Sequence, residues 1–134
     1  MRQPKKRASR LVSMYADTDF WVALLKDDDW LAERALERLD EYRDDLEVSL
    51  ATFLELFLIE ERYAFDREQA AVSIFELAST DVDEDVVFQA SAYIDEGLNT
   101  FDAFHAALAG DAILSSDQAF AEIAIERIPL EPDD

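Results

Sequence analysis

Apolar positions along this chain change period several times, between the alternation of a strand and the three-and-four spacing of a helix. LVSMYA (11–16) reads as a short strand running into Asp17, and residues 20–25 as a brief apolar helix. In the next segment Trp30 or Leu31, Ala35, Leu39 and Tyr42 fall on one stripe with charge elsewhere, which predicts an amphipathic helix. LEVSLA (46–51) is strand-like and leads into an apolar helix. Asp66 is placed to cap a helix running to about Ser79, and another follows over 83–96, ending near Gly97. NTFDAFHAALAG opens with Asn99 or Thr100 as N-cap and closes on Gly110. AILSS then predicts a strand, AFAEIA a short helical turn, and ERIPL an edge strand, where a proline is tolerated. Short strands separated by helices imply a mainly parallel central sheet covered on both faces. The fold class is therefore α/β, a three-layer α/β/α sandwich.

One interruption in this pattern raises a chemical question. LATFLELFLI (50–59) carries a single charged residue, Glu55, in an otherwise uncharged helix. Burying an ionised carboxylate costs several kcal/mol unless it is paired or binds a metal. Either Glu55 turns outward, or it has a task.

Charge complicates the answer. The 134 residues include 32 acidic and 12 basic side chains, a formal charge of −20. Such self-repulsion opposes folding unless salt screens it, and at molar ionic strength the Debye length falls to about 3 Å. The composition, with only three lysines, is that of a protein adapted to a very salty cytoplasm. Most acids here are accordingly read as solvated surface, including DDD at 27–29, EYRDDLE at 41–47 and DVDED at 81–85. An acidic surface does not exclude a nucleic-acid partner, because phosphate attraction is itself screened at that salt.

Absences narrow the chemistry further. There is no cysteine, so no disulfide, Cys-based zinc site or thiol nucleophile, and a single histidine, His105, cannot build a His-rich metal site. Two glycines, Gly97 and Gly110, leave no room for a Gly-rich phosphate loop, and no GxSxG elbow presents a serine. If the chain does chemistry, carboxylates carry it, and oxygen-rich sites suit Mg²⁺ or Mn²⁺. Residues 1–13 are basic at their start and are expected to be a disordered arm ahead of a single domain at 14–134. A misassigned start with Met14 as initiator and a nucleic-acid-contacting arm are the alternatives for the first ten residues. Nothing resembles a signal peptide or an uninterrupted apolar span of about 18 residues, so a cytoplasmic protein without membrane contact is expected.

Four acids occupy comparable places on the predicted elements. Asp17 follows the first strand, Glu55 lies on the helix after the second with Thr52 one turn below it, Asp102 is in the first turn of a helix, and Asp117 follows AILSS. In open α/β sheets ligands bind beyond the carboxyl ends of the strands, so such acids can converge on one crevice. A convergent carboxylate set is placed to aim at a cation. His105, three residues after Asp102, reads as packed or surface, and Trp21, Trp30, Phe53, Phe57, Phe75 and Phe88 as core or dimer interface.

These segments resemble the PIN-domain nucleases, most closely the VapC-type toxin branch, over residues 14 to about 128. YADTDFWVALL is similar to the family's opening strand with its first acid at Asp17, and VSLATFLEL to the serine, threonine and acid pattern ending at Glu55. LNTFDAFHAALA resembles the segment with the third acid, Asp102, and ILSSDQAF the TxDxxF segment with the fourth, Asp117. Asp19 stands where the family often has asparagine, and Ser115 replaces the usual threonine while keeping the hydroxyl. The resemblance implies hydrolysis of RNA phosphodiester bonds with one or two Mg²⁺ or Mn²⁺ ions. Asp17 and Asp102 would be principal ligands, Asp117 a direct or water-mediated ligand, and Glu55 a ligand or water-orienting base. Thr18 and Ser115 would hold carboxylates or phosphate oxygens. It also implies a homodimer, an RNA substrate and a small antitoxin as partner. A housekeeping RNA-processing nuclease and an inactive acidic binding or scaffold protein are the competing readings.

Overall fold

The computed structural model describes residues 14–26, 29–60, 62–63 and 65–132, and the basic arm expected at 1–13 lies outside them. The chain divides into two compact units, one ending at Val82 and the other beginning at Asp83. Every strand pairing among the described residues is parallel, and six helices accompany the strands. The class is α/β, with small parallel sheets. No helix among the described residues is long and apolar enough to cross a membrane.

In the first unit β1 (Met14–Tyr15) pairs with β2 (Leu46–Glu47), Met14 opposite Leu46. Ser79 extends the ladder on the far side of β2: its N–H donates to the Leu46 carbonyl (2.9 Å), and its carbonyl accepts from the Val48 N–H (3.0 Å). Four helices belong to this unit: α1 (Thr18–Leu25), α2 (Ala32–Tyr42), α3 (Leu50–Ile59) and α4 (Arg67–Leu77). Trp21, Phe53, Leu56 and Ile74 are fully buried, and Phe53 stacks on Phe75 at 5.0 Å. Each such side chain contributes about 1.5–3 kcal/mol through burial, so α3 is anchored by its apolar stripe without help from its one acid. The predicted stripe of α2 is seen at Ala35 and Leu39, both buried. Trp30 is 86% exposed and takes no part in this core.

The strand expected over 46–51 stops after two residues. Leu46 and Val48 are buried as alternation requires, but Ser49 starts a helix: its Oγ accepts from the Ala51 N–H (3.2 Å), and Thr52 Oγ1 accepts from the Ser49 N–H (3.4 Å). This reciprocal cap satisfies orphan donors and outweighs the β-pattern of the apolar residues around it. Similarly, Asp66 caps α4 as expected, yet the helix ends at Leu77, which frees Ser79 for the ladder.

The second unit holds α5 (Glu84–Asp95), α6 (Thr100–Ala109), β3 (Ala112–Leu114) and β4 (Glu126–Ile128), with a 3₁₀ segment at Gln118–Glu122. Small buried residues, Ala90, Ser91, Ala103 and Ala106, let α5 and α6 pack closely. Gly110 ends α6 at φ +81°, a conformation L side chains adopt only at a cost. β3 and β4 run parallel with Ala112 opposite Glu126, and their alternate side chains face solvent, Leu114 among them. AILSS therefore supplies a strand, but not one buried on both faces.

Candidate functional site

In the first unit the start of α1 and the C-terminal half of α3 line a cavity. Asp17 leaves β1 in extended conformation and is the N-cap of α1, its carboxylate accepting from the Thr18 N–H at 2.7 Å. The positive end of the α1 dipole favours a carboxylate there. Thr18 is nearly buried, and its hydroxyl donates to the carboxylate of Glu55. On α3 the buried residues are Thr52, Phe53, Leu56 and Phe57, so Glu55 lies off that stripe and is exposed. Glu55 turns outward and does not bear the cost of burial. It faces a cavity of about 410 Å³ lined by the polar Asp17, Thr18, Asp19 and Glu55 together with Val22, Leu58, Ile59 and Tyr63.

A second bridge supports this arrangement. The Tyr15 hydroxyl lies 2.7 Å from Ser49 Oγ and 3.3 Å from Thr52 Oγ1, which ties β1 to the first turn of α3. Together with Thr18 and Glu55, it fixes the approach of the β1–α1 connection to α3. Tyr15 and Tyr63 escaped notice in the sequence. A usable signal existed for Tyr15, since residues two apart in an extended segment share a face and Tyr15 stands two before Asp17.

The remaining acids belong to the second unit. Asp102 sits three residues into α6 in a reciprocal cap: Asn99 Oδ1 accepts from the Asp102 N–H (2.9 Å), and Asn99 Nδ2 donates to Asp102 Oδ2 (3.1 Å). Asp117 is exposed and caps the 3₁₀ segment by accepting from the Ala119 N–H (2.9 Å). Its own N–H donates to Ser115 Oγ (2.9 Å). The Ser115 carbonyl in turn accepts from Arg127 Nη1 (2.7 Å), and Arg127 grips Glu131 through both terminal nitrogens at 3.1 and 2.9 Å. Hydrogen bonding to Arg127 holds the Glu131 carboxyl down at about 2. The Arg127 guanidinium is raised reciprocally, chiefly by its hydrogen bond to Glu131, with the Asp117 charge adding to the effect. His105 is exposed on α6.

The structure thus brings Asp17, Thr18 and Glu55 together, adds Asp19, and gives Asp102 and Asp117 separate local supports. Among the described residues no three acids or histidines are close enough to form a ready-made metal cluster. The donor chemistry of the cavity still fits a hard divalent cation: Asp17, Asp19 and Glu55 offer only oxygen, and among the described residues no basic side chain lines the space. Mg²⁺ commonly keeps several waters and takes one or two protein carboxylates, which this wall can supply.

No curated protein and no solved structure matches the chain. A family model described as the PIN domain matches residues 14–126, a span that includes Asp17, Glu55, Asp102 and Asp117, and the chain accordingly belongs to the PIN domain family, whose members are usually nucleases that generally use divalent metals.

Proposed function

We propose that this protein is a metal-dependent endoribonuclease whose working set is Asp17, Glu55, Asp102 and Asp117, and that it serves as the toxin of a toxin–antitoxin pair. The observation that carries the reading is the Thr18–Glu55 hydrogen bond, which holds Glu55 on the cavity that Asp17 also lines, in a chain of a family whose members are usually nucleases. Asp17 and Glu55 would hold a Mg²⁺ or Mn²⁺ ion, with Asp102 and Asp117 as the third and fourth acids of the set. Bound there, such an ion supplies Lewis-acid polarisation of a phosphodiester and a water acidic enough to attack it. The chain's own part is geometric: Thr18 fixes the Glu55 carboxylate, the α1 N-terminus holds Asp17, and Asp19 adds negative charge that favours a cation.

The test is RNA cleavage by the purified protein at fixed, high KCl. Cutting is expected with Mn²⁺ or Mg²⁺ and is expected to stop on chelation. A small co-transcribed antitoxin should bind and inhibit, with residues around Asp17 and Asp117 sensitive to charge reversal. RNA cleavage that persists in a metal chelator would refute the metal-dependent reading.

A further inference from the structure

A second cavity, of about 230 Å³, lies within the second unit and is lined by none of Asp17, Glu55, Asp102 and Asp117. It opens where the start of α5 meets the end of α6. From α5 come Asp85, Gln89 and Tyr93, spaced by four so that helical periodicity puts them on one face. Ala106 and Ala107 come from the last turn of α6, and Gly110 and Asp111 from the turn that follows it. Asp102 stands eight residues before Gly110, about 12 Å along the helix at roughly 1.5 Å per residue. The cavity therefore belongs to the other end of α6.

Tyr93 distinguishes this space from an ordinary surface depression. It is only 6% exposed, and its hydroxyl makes no hydrogen bond with the described residues. Nor is that oxygen sealed in the core: among the described residues the enclosed polar side-chain atom without a partner is Trp21 Nε1. The Tyr93 hydroxyl therefore reaches the cavity it lines, free to bond what enters. Buried polar groups are ordinarily satisfied, so an unpaired phenol at this depth points to a partner from outside the chain. The side chains of Asp85, Gln89 and Asp111 are likewise without partners among the described residues.

The field here is negative. Among the described residues no basic side chain lines the cavity, and the last turn of α6 carries none to offset its free carbonyls. The positive end of α5 is already met by Asp83, whose carboxylate accepts from the Asp85 N–H at 2.8 Å, and by Glu84. A cation is the fitting ligand, and the lining selects which kind. The methyl groups of Ala106 and Ala107 offer nothing to a strongly hydrated ion, whereas a flat, weakly hydrated guanidinium can lie against them. Its five N–H donors match the oxygens of two carboxylates, an amide and a phenol. We propose that this cavity binds a guanidinium group, with Asp85 and Asp111 accepting its charged N–H donors and the oxygens of Gln89 and Tyr93 accepting those that remain. The site is separate from the carboxylates of the first unit and does not depend on the ribonuclease reading.

Propylguanidine and propylamine, which share a stem and differ in the cationic head, are the probes, titrated into the full chain at one fixed KCl concentration. NMR follows the Gly110 N–H and the Gln89 side-chain amide. Propylguanidine should shift both saturably, and propylamine should bind at least about fivefold more weakly. Asp85→Asn and Asp111→Asn should each weaken propylguanidine binding about tenfold, the loss of one charge-assisted hydrogen bond. Both positions are exposed, so these variants keep the test valid if Tyr93→Phe fails to fold. Tyr93→Phe itself should weaken binding about threefold, as loss of a neutral hydrogen bond does. Glu122→Gln, an exposed acid of the same unit outside the cavity, is the control and should change nothing. A blocked arginine peptide, acetyl-Gly-Arg-Gly-amide, separates the sources of the group. Tighter binding than propylguanidine assigns the slot to an arginine of a protein partner, and weaker binding to a free guanidino compound. No saturable shift in folded wild type, equal affinity for the two heads, or affinity unchanged in Asp85→Asn and Asp111→Asn would each overturn the site.

Discussion

The two units hold their acids by different means. In the second, Asp102 and Asp117 are each fixed by neighbours a few residues away, Asn99 for the one and Ala119 with Ser115 for the other. In the first, Asp17 has a local contact with Thr18, but Glu55 is held across 37 positions of chain by the Thr18 hydroxyl, and Tyr15 reaches the Ser49 hydroxyl across 34. A capped acid keeps its orientation as long as its helix start is formed. An acid held across the fold keeps its orientation only while β1, α1 and α3 stay in register.

The largest effect should come from the acids themselves. Asp17→Asn and Asp102→Asn are each expected to lower RNA cleavage at least about a hundredfold, since charge stabilisation of this kind is commonly worth several kcal/mol. Circular dichroism and melting temperature should show an intact fold, because neither side chain is part of the apolar core. Undiminished cleavage by either variant would remove that acid from the proposed site.

Thr18→Val is the sharper probe of the contrast. It keeps the volume but removes the donor to Glu55, so kcat should drop about tenfold while stability falls by about 1 kcal/mol, the typical net worth of such a bond. Denaturant titration and single-turnover cleavage measure the two separately. Asn99→Ala should do the reverse in proportion: a cap loss of about 1 kcal/mol, with cleavage reduced no more than the frayed α6 start explains. Equal ratios of activity loss to stability loss in the two variants would erase the distinction between the units.

The smallest effect concerns Arg127 and Glu131. Glu131 has a folded value of about 2 against an ordinary 4.5, and its contribution is therefore complete above about 4.5 and lost as pH falls toward 2. Carboxyl NMR should find the Glu131 midpoint near 2, and Arg127→Gln should return it toward 4.5. Glu131→Gln should remove the corresponding pH dependence of stability. A Glu131 midpoint unaffected by Arg127→Gln would show that the pair does not hold the chain beside Ser115.

How much of this was legible without coordinates follows from the range of each interaction. Caps at Asp66, Asn99 and the acid-led start of α5 are readable because the capping side chain and the N–H it accepts from lie within three residues. The buried stripe of α3 is readable because helical spacing alone fixes which residues share a face. By the same rule LEVSLA misled, since alternation marks Leu46 and Val48 as one buried face but does not register that the Ser49 cap has already begun a helix. The sequence by itself determined the α/β class, the capped helices and the positions of the acids. Only the tertiary structure decided that Glu55 faces outward onto a cavity, that Thr18 and Tyr15 connect β1 and α1 to α3, and that Val22, Leu58, Ile59 and Tyr63 share that cavity with the carboxylates. Those contacts join residues about 35 positions apart, and no local period records which side chains the packing of Trp21, Phe53 and Leu56 will bring within hydrogen-bond reach.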